Sequence, residues 1–108
     1  PAATLLPPTP CAAAECARKN VELNQLGGVV TVECTGFETY QRLEADVVVA
    51  NTNASVLFEA IPRLDSDIAI LSGLLVDELG ELTAELKSPY VVSEEWSAGE
   101  WSALVVTR

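Results

Sequence analysis

Residues 45–75 read Ala-Asp-Val-Val-Val-Ala-Asn, then a helix-like run, then Ile-Ala-Ile-Leu-Ser-Gly-Leu-Leu. This is a strand, a crossover and a second strand. Two apolar strands joined by a helical connection run parallel, which commits the chain to an α/β sheet. Asp46 is followed by four apolar residues, so the first strand is expected to be buried on both faces. It stops on Asn51, a polar side chain at the carboxyl end of the strand. In open α/β sheets that edge is where ligands bind.

The rest of the chain supplies further alternation. Residues 1–10 hold four of the six prolines. They read as an opening segment whose residues 2–6 form one short strand, which Pro7, Pro8 and Pro10 then stop. Residues 11–108 read as the α/β domain proper. A helix is expected over residues 11–26, rich in alanine and stopped by Gly27-Gly28. Residues 29–34 form a β-branched strand. Residues 35–44 are less regular, with a turn of helix. Asn53 or Ser55 caps a helix through Val56, Leu57, Phe58, Ala60 and Ile61, which ends near Pro62. Residues 68–71 are a buried strand, turned at Ser72-Gly73. Residues 77–86 form an amphipathic helix with Leu79, Leu82 and Leu86 on one stripe. Residues 90–96 and 101–107 flank Ser97-Ala98-Gly99 as an antiparallel hairpin. The fold expected is a mostly parallel α/β sheet with an antiparallel C-terminal edge.

Composition removes several functions. With 16 acids against 6 bases and a net charge of −10, the chain lacks the basic surface that nucleic acid requires. An acidic surface serves solubility, or suits a basic partner protein. Histidine is absent, which excludes Ser-His and Cys-His nucleophile pairs within the chain. Cys11, Cys16 and Cys34 match no zinc spacing and read as reduced packing residues, hence a reducing compartment, cytoplasm or organellar matrix. No apolar run approaches the roughly 20 residues that span a bilayer.

Four stretches, taken in order, resemble one family. Residues 14–24 (Ala-Glu-Cys-Ala-Arg-Lys-Asn-Val-Glu-Leu-Asn) resemble the A-x-x-x-N-x-x-x-N helix of class I S-adenosylmethionine-dependent methyltransferases. Residues 46–51 resemble a D-V-V-V-A-N strand, 70–75 an I-L-S-G-I-L strand, and 99–105 a G-E-W-x-A-L-V final strand. Together they look like the catalytic domain of the PrmA family, which methylates a large-subunit ribosomal protein. The resemblance implies a Rossmann-like sheet, S-adenosylmethionine as cofactor, and methyl transfer to an amine without a metal.

Carried over residue by residue, the resemblance makes Asn51 the catalytic candidate and a cofactor contact. Phe37 falls where an acid often meets the adenine amine, with Glu38 as a stand-in. Thr52, Asn53, Ser72 and Gly73 are expected at the substrate side of the same cleft. The departures are equally specific. No G-x-G-x-G loop occurs, and the first glycines are Gly27 and Gly28. The ribose-binding acid falls near Pro8, which offers no carboxylate. The sheet is therefore expected to be incomplete at its N-terminal side, leaving an unpaired edge for a complementing chain or an oligomer.

Outside the cleft, Asp65 and Asp67 read as solvated turn residues. Glu94 and Glu95 read as edge charges that deter strand-to-strand pairing. Trp96 and Trp101 read as packing over the sheet, with partner anchors as the other possibility. Two functions follow: the distal portion of a protein methyltransferase, or a methyltransferase-like interaction subunit.

Overall fold

The computed structural model describes residues 3–7 and 11–108, which form two compact units, residues 1–39 and 40–108. The prolines at 1, 8 and 10, and with Pro8 the expected ribose-acid position, lie outside the described residues.

In the first unit, β1 (Ala3–Leu5) pairs in parallel with β2 (Val30–Val32), Thr4 opposite Thr31. Between them runs α1 (Ala12–Leu23), whose Ala14 is buried. The helix ends three residues before its expected limit, and the glycine pair does not end it. Gln25 takes the left-handed conformation at φ 57°, Leu26 N–H returns to Val21 O at 2.9 Å, and Gln25 N–H to Glu22 O at 3.0 Å. This is a Schellman closure with glutamine in the position usually held by glycine.

The β1–α1–β2 path also revises the cysteines. Cys11 and Cys34 form a disulfide, their Cα atoms 5.5 Å apart, a separation that suits the bond. Cys16 is free and exposed. The expectation of three reduced packing residues is therefore corrected. The parallel pairing of the flanking strands brings the start of the helix and the end of β2 to the same place.

The second unit is a four-stranded sheet in the order β3-β4-β6-β5. Its strands are β3 (Leu43–Asn51), β4 (Leu64–Leu75), β5 (Val91–Ala98) and β6 (Trp101–Thr107). The β3/β4 pairing is parallel, and β4/β6 and β5/β6 are antiparallel. The α/β class, the parallel crossover and the C-terminal hairpin are all present.

The crossover is α2 (Ala54–Ala60), which places Ala54, Leu57 and Ala60 on one buried stripe. Pro62 then falls in a 3-10 turn that ends the helix. After β4, α3 (Leu79–Glu85) contributes Leu82. Leu57, Ile61 and Leu82 pack with Ala69, Leu71, Leu74, Leu104 and Val106 into one core. Each fully buried leucine there contributes about 1.5–3 kcal/mol of burial free energy.

That core covers one face of the sheet. Directly opposed strand residues share a face. Val48 opposite Ala69 and Ala50 opposite Leu71 therefore look into the core. Val47 opposite Ile68 and Val49 opposite Ile70 look the other way, where Val47 is 45% and Val49 67% exposed. The expectation that this strand is buried on both faces is thus corrected: its second face has no helix layer over it within the unit, and it lies at the sheet edge.

The strand β4 is also longer than its apolar stretch. Asp65 and Asp67 sit inside it and not in a turn. Arg42 reaches Asp65 at 2.6 Å, and Arg108 reaches Asp65 at 2.8 Å and Asp67 at 3.3 Å. Tyr90 closes the cluster. Its hydroxyl accepts from Ser66 N–H at 2.9 Å and donates to Ser66 O at 2.7 Å. Asp65 is thereby drawn largely out of solvent, its side chain 13% exposed, whereas Asp67 keeps most of its side chain in solvent, as read.

Candidate functional site

Asn51 is the last residue of β3, as expected, and it is exposed. The parallel pairing places it opposite Ser72, whose hydroxyl donates to Asn51 Oδ1 at 3.1 Å. Thr52 N–H donates to Ser72 O at 3.1 Å, extending the ladder one residue past the strand. Asn53 then caps α2, its Oδ1 accepting Val56 N–H at 3.1 Å. That bond satisfies one of the helix's orphan donors and fixes the loop's exit.

Gly73 sets the other side of the loop. It has φ +86° at a register shift between Ser72 and Leu74. A Cβ there would run into the Thr52 carbonyl. The close approach of the two strand ends therefore requires glycine. The structure thus brings Asn51, Thr52, Asn53, Ser72 and Gly73 together at one end of the β3/β4 pair.

An open groove of about 610 Å³ begins there. Asn51, Thr52, Ser72 and Gly73 line one part of it, and Trp96 and Trp101 another. The register explains the grouping. Asn51 faces Ser72, Ser72 faces Ala103, and Ala103 faces Trp96. One row of side chains therefore crosses all four strands, with small residues in the middle and larger ones at the ends.

The tryptophans were expected to pack over the sheet. Instead Trp96 is 63% and Trp101 54% exposed. Trp101 lies opposite Ala98 on the same face as Trp96. Glu94 Oε2 accepts the Trp96 indole N–H at 3.1 Å, which steers that ring. Sequence reasoning placed neither ring at the cleft. The signal that could have done so is hairpin parity, because the two tryptophans flank a turn and fall on one face with Ala103. Glu94 and Glu95 do lie on an edge strand, as read.

Phe37 and Glu38 belong to the first unit. They occupy a 3-10 turn, Phe37–Thr39, after the carboxyl end of β2. Phe37 is partly buried and Glu38 exposed, its carboxylate folded back over Gly36. Among the described residues no cluster of His, Cys, Asp and Glu could hold a metal ion. None of their helices is long and apolar enough to cross a membrane.

A cluster of paired charges on β4 lies outside the groove lining. Arg108's hydrogen bond, aided by the charge of Arg42, holds the Asp65 carboxyl below the usual carboxylate range, against desolvation. Arg108 is raised in turn by the same bond. This is an ion-pair network of the strand, with structure and not proton transfer as its evident role.

The sequence model described as ribosomal protein L11 methyltransferase (PrmA) matches residues 10–108. The chain is 31% identical to a ribosomal protein L11 methyltransferase of Heliobacterium modesticaldum, over 85% of this chain and 31% of that protein. It is 33% identical to the one of Desulforapulum autotrophicum, over 87% of this chain and 33% of that protein. The chain thus spans about a third of the length of the curated relatives it matches. Among solved structures, a ribosomal protein L11 methylase of Lactobacillus delbrueckii subsp. bulgaricus superposes with TM-score 0.79 at 22% identity, over 97% of this chain and 55% of that one. A putative methyltransferase of Escherichia coli superposes with TM-score 0.72 at 18% identity, over 97% and 63%. At those identities the structures speak to the fold, which is the Rossmann-like methyltransferase fold.

Proposed function

Because this chain belongs to the ribosomal protein L11 methyltransferase (PrmA) family, we propose that it is the distal portion of an S-adenosylmethionine-dependent protein methyltransferase, supplying the methyl-acceptor side of the cleft. The observation that carries this is Asn51, fixed by Ser72 at the carboxyl end of β3 and open to the groove. The acceptor in this reading is a ribosomal protein, as the relatives' names suggest, and the resemblance implies that an amine on it takes the methyl group.

The residues present do not by themselves fit the whole cofactor. No glycine-rich G-x-G-x-G loop occurs among the 108 residues, and Pro8 stands where a ribose-binding acid is expected. Phe37 and Glu38 remain as candidates for the adenine end. The cofactor, when bound, supplies an activated methyl group on sulfur. What these residues contribute is alignment, the main lever in such transfers. Asn51 Oδ1 uses one lone pair on Ser72 and keeps a second for an amine N–H. Gly73 keeps that oxygen in place by letting the two strand ends approach.

The place of β3 at the end of the four-stranded sheet and the exposed Val47 and Val49 support the reading of a portion that works with further chain. A strand edge with apolar neighbours is a template for another strand. The same feature favours the second reading, an interaction subunit that has lost cofactor binding. The two separate in one experiment. The 108-residue chain, alone and fused to the glycine-loop portion of a relative, is titrated with S-adenosylhomocysteine by calorimetry. The enzyme reading expects the fusion to bind more tightly than about 100 μM, roughly −5.5 kcal/mol. It also expects Asn51→Ala to lower the fusion's turnover at least about tenfold. A fusion that folds, yet neither binds nor transfers, leaves the interaction subunit.

A further inference from the structure

We infer that the β5/β6 hairpin end of the groove is a docking platform for a basic peptide segment, held against the Trp96 and Trp101 rings. The inference deepens the reading above, because it says how an amine-bearing protein would be brought to Asn51.

Three observations meet at this surface. The first is shape. In the row Asn51–Ser72–Ala103–Trp96, the two inner side chains are small, so they form a floor between two taller ends. Three strand spacings make that row about 14 Å wide, which suits a peptide and not a small metabolite. The second is the rings. Both tryptophans are more than half exposed, on one face, at the groove. Exposed indoles offer a flat apolar surface and a negative ring face, which suits the stem and ammonium of lysine. The third is charge. Residues 91–107 hold no Lys or Arg; of their three acids, Glu94 shares this face with Trp96 and Glu100 sits in the adjoining turn, whereas Glu95, opposite Leu104, lies on the core face. Glu94 also accepts the Trp96 N–H, so one carboxylate orients the ring and adds negative potential beside it.

The same charges decide against other occupants. A second copy of a chain with net charge −10 would bring like charges together on this face. An acidic peptide or a nucleic acid would meet the same repulsion. A segment rich in lysine meets complementary charge, apolar rings and a floor without bulk.

The test uses a fluorescein-labelled nonalysine peptide, the 108-residue chain and no cofactor, so that failure of cofactor binding does not enter. The chain has two tryptophans and both line the groove, so its intrinsic emission reports on this surface. The expected result is a saturable rise in peptide anisotropy with a matching change in tryptophan emission. Nonaglutamate and fully acetylated nonalysine give neither. Trp101→Ala weakens binding about threefold to fivefold, the range of an exposed cation–π contact. Ala103→Leu, which fills the floor on a partly buried position and leaves the core face untouched, weakens it as well. Added salt weakens it further. Nonalysine binding that leaves the emission unchanged, or that Trp101→Ala and Ala103→Leu both leave intact, overturns the proposal in favour of diffuse attraction to an acidic surface. A concentration-dependent emission change without peptide overturns it in favour of self-association.

Discussion

Ser72 and Asn51 are direct partners in the parallel β3/β4 ladder, and the Ser72 hydroxyl donates to Asn51 Oδ1 at 3.1 Å. The ladder sets the backbone register, and the side-chain bond then sets where the amide points. Asn51 is thus held by β4, not by its own loop. Whatever disturbs the end of β4 therefore disturbs Asn51.

Gly73 is the residue through which that disturbance is most easily made. Its φ of +86° is a conformation that L side chains rarely adopt, and the Thr52 carbonyl occupies the space a Cβ would take. Gly73→Ala combines left-handed strain of about 1–2 kcal/mol with a backbone clash. The expected loss is at least about 2 kcal/mol, or a fall in Tm of about 8 °C or more for a domain of this size. Calorimetric melting checks the size. Amide shifts confined to residues 51–53 and 72–74 check that the loop has moved.

How far the sequence reveals this end of the sheet depends on what is local. Asn51 as a strand end, Asn53 as a cap and residues 101–107 as a strand are all legible, because caps, turns and β-branched runs act over a few residues. The start of β4 is not. Asp65, Ser66 and Asp67 carry turn chemistry, and they extend the strand only because Arg42, Tyr90 and Arg108 arrive from elsewhere. The exposed face of β3 is not legible either. A run of valines looks the same whether or not a second layer covers it. The groove was half visible: its asparagine end follows from strand polarity, whereas its tryptophan end needs the register across three strand pairs.

Asp65 gives the fold an acid-sensitive element. Its carboxyl is depressed below the ordinary value of 3.8, chiefly by the Arg108 hydrogen bond. A depressed carboxyl stabilises the fold fully above its unfolded value and loses that effect as pH falls through the folded one. Asp65→Asn removes the ion pairs at every pH. The stability gap between the natural chain and this variant is therefore expected to be constant from pH 7 to about 4. Below that it narrows. Urea midpoints at half-unit pH intervals measure it, and a gap that widens with acid contradicts the assignment.

Ser66 sits beside Asp65 and makes the opposite prediction. It is fully buried, and its Oγ has no hydrogen-bond partner among the described residues, although its backbone is bonded to Tyr90. A buried hydroxyl without a partner carries its desolvation cost unrepaid. Ser66→Ala is expected to raise stability by about 1 kcal/mol. The urea midpoint should rise with the slope unchanged. A fall of similar size would show that the hydroxyl is satisfied, for instance by an internal water.

The α1 closure needs a residue at φ 57°, and Gln25 supplies it at a cost that glycine would not carry. The bonds that depend on this residue are Leu26 N–H to Val21 O and Gln25 N–H to Glu22 O. Both are backbone bonds and survive a change of side chain. Gln25→Gly therefore relieves left-handed strain and keeps the closure. Against this stands the greater freedom that glycine gives the unfolded chain, about 0.5–1 kcal/mol. The strain relieved, about 1–2 kcal/mol, exceeds it, so the net expectation is a gain of about 0.5–1 kcal/mol. Gln25→Ala relieves no strain and gains nothing. Hydrogen exchange at the Gln25 and Leu26 positions, compared across the three chains, decides it: slower exchange in Gln25→Gly alone supports the strain argument, and equal rates in all three would remove it.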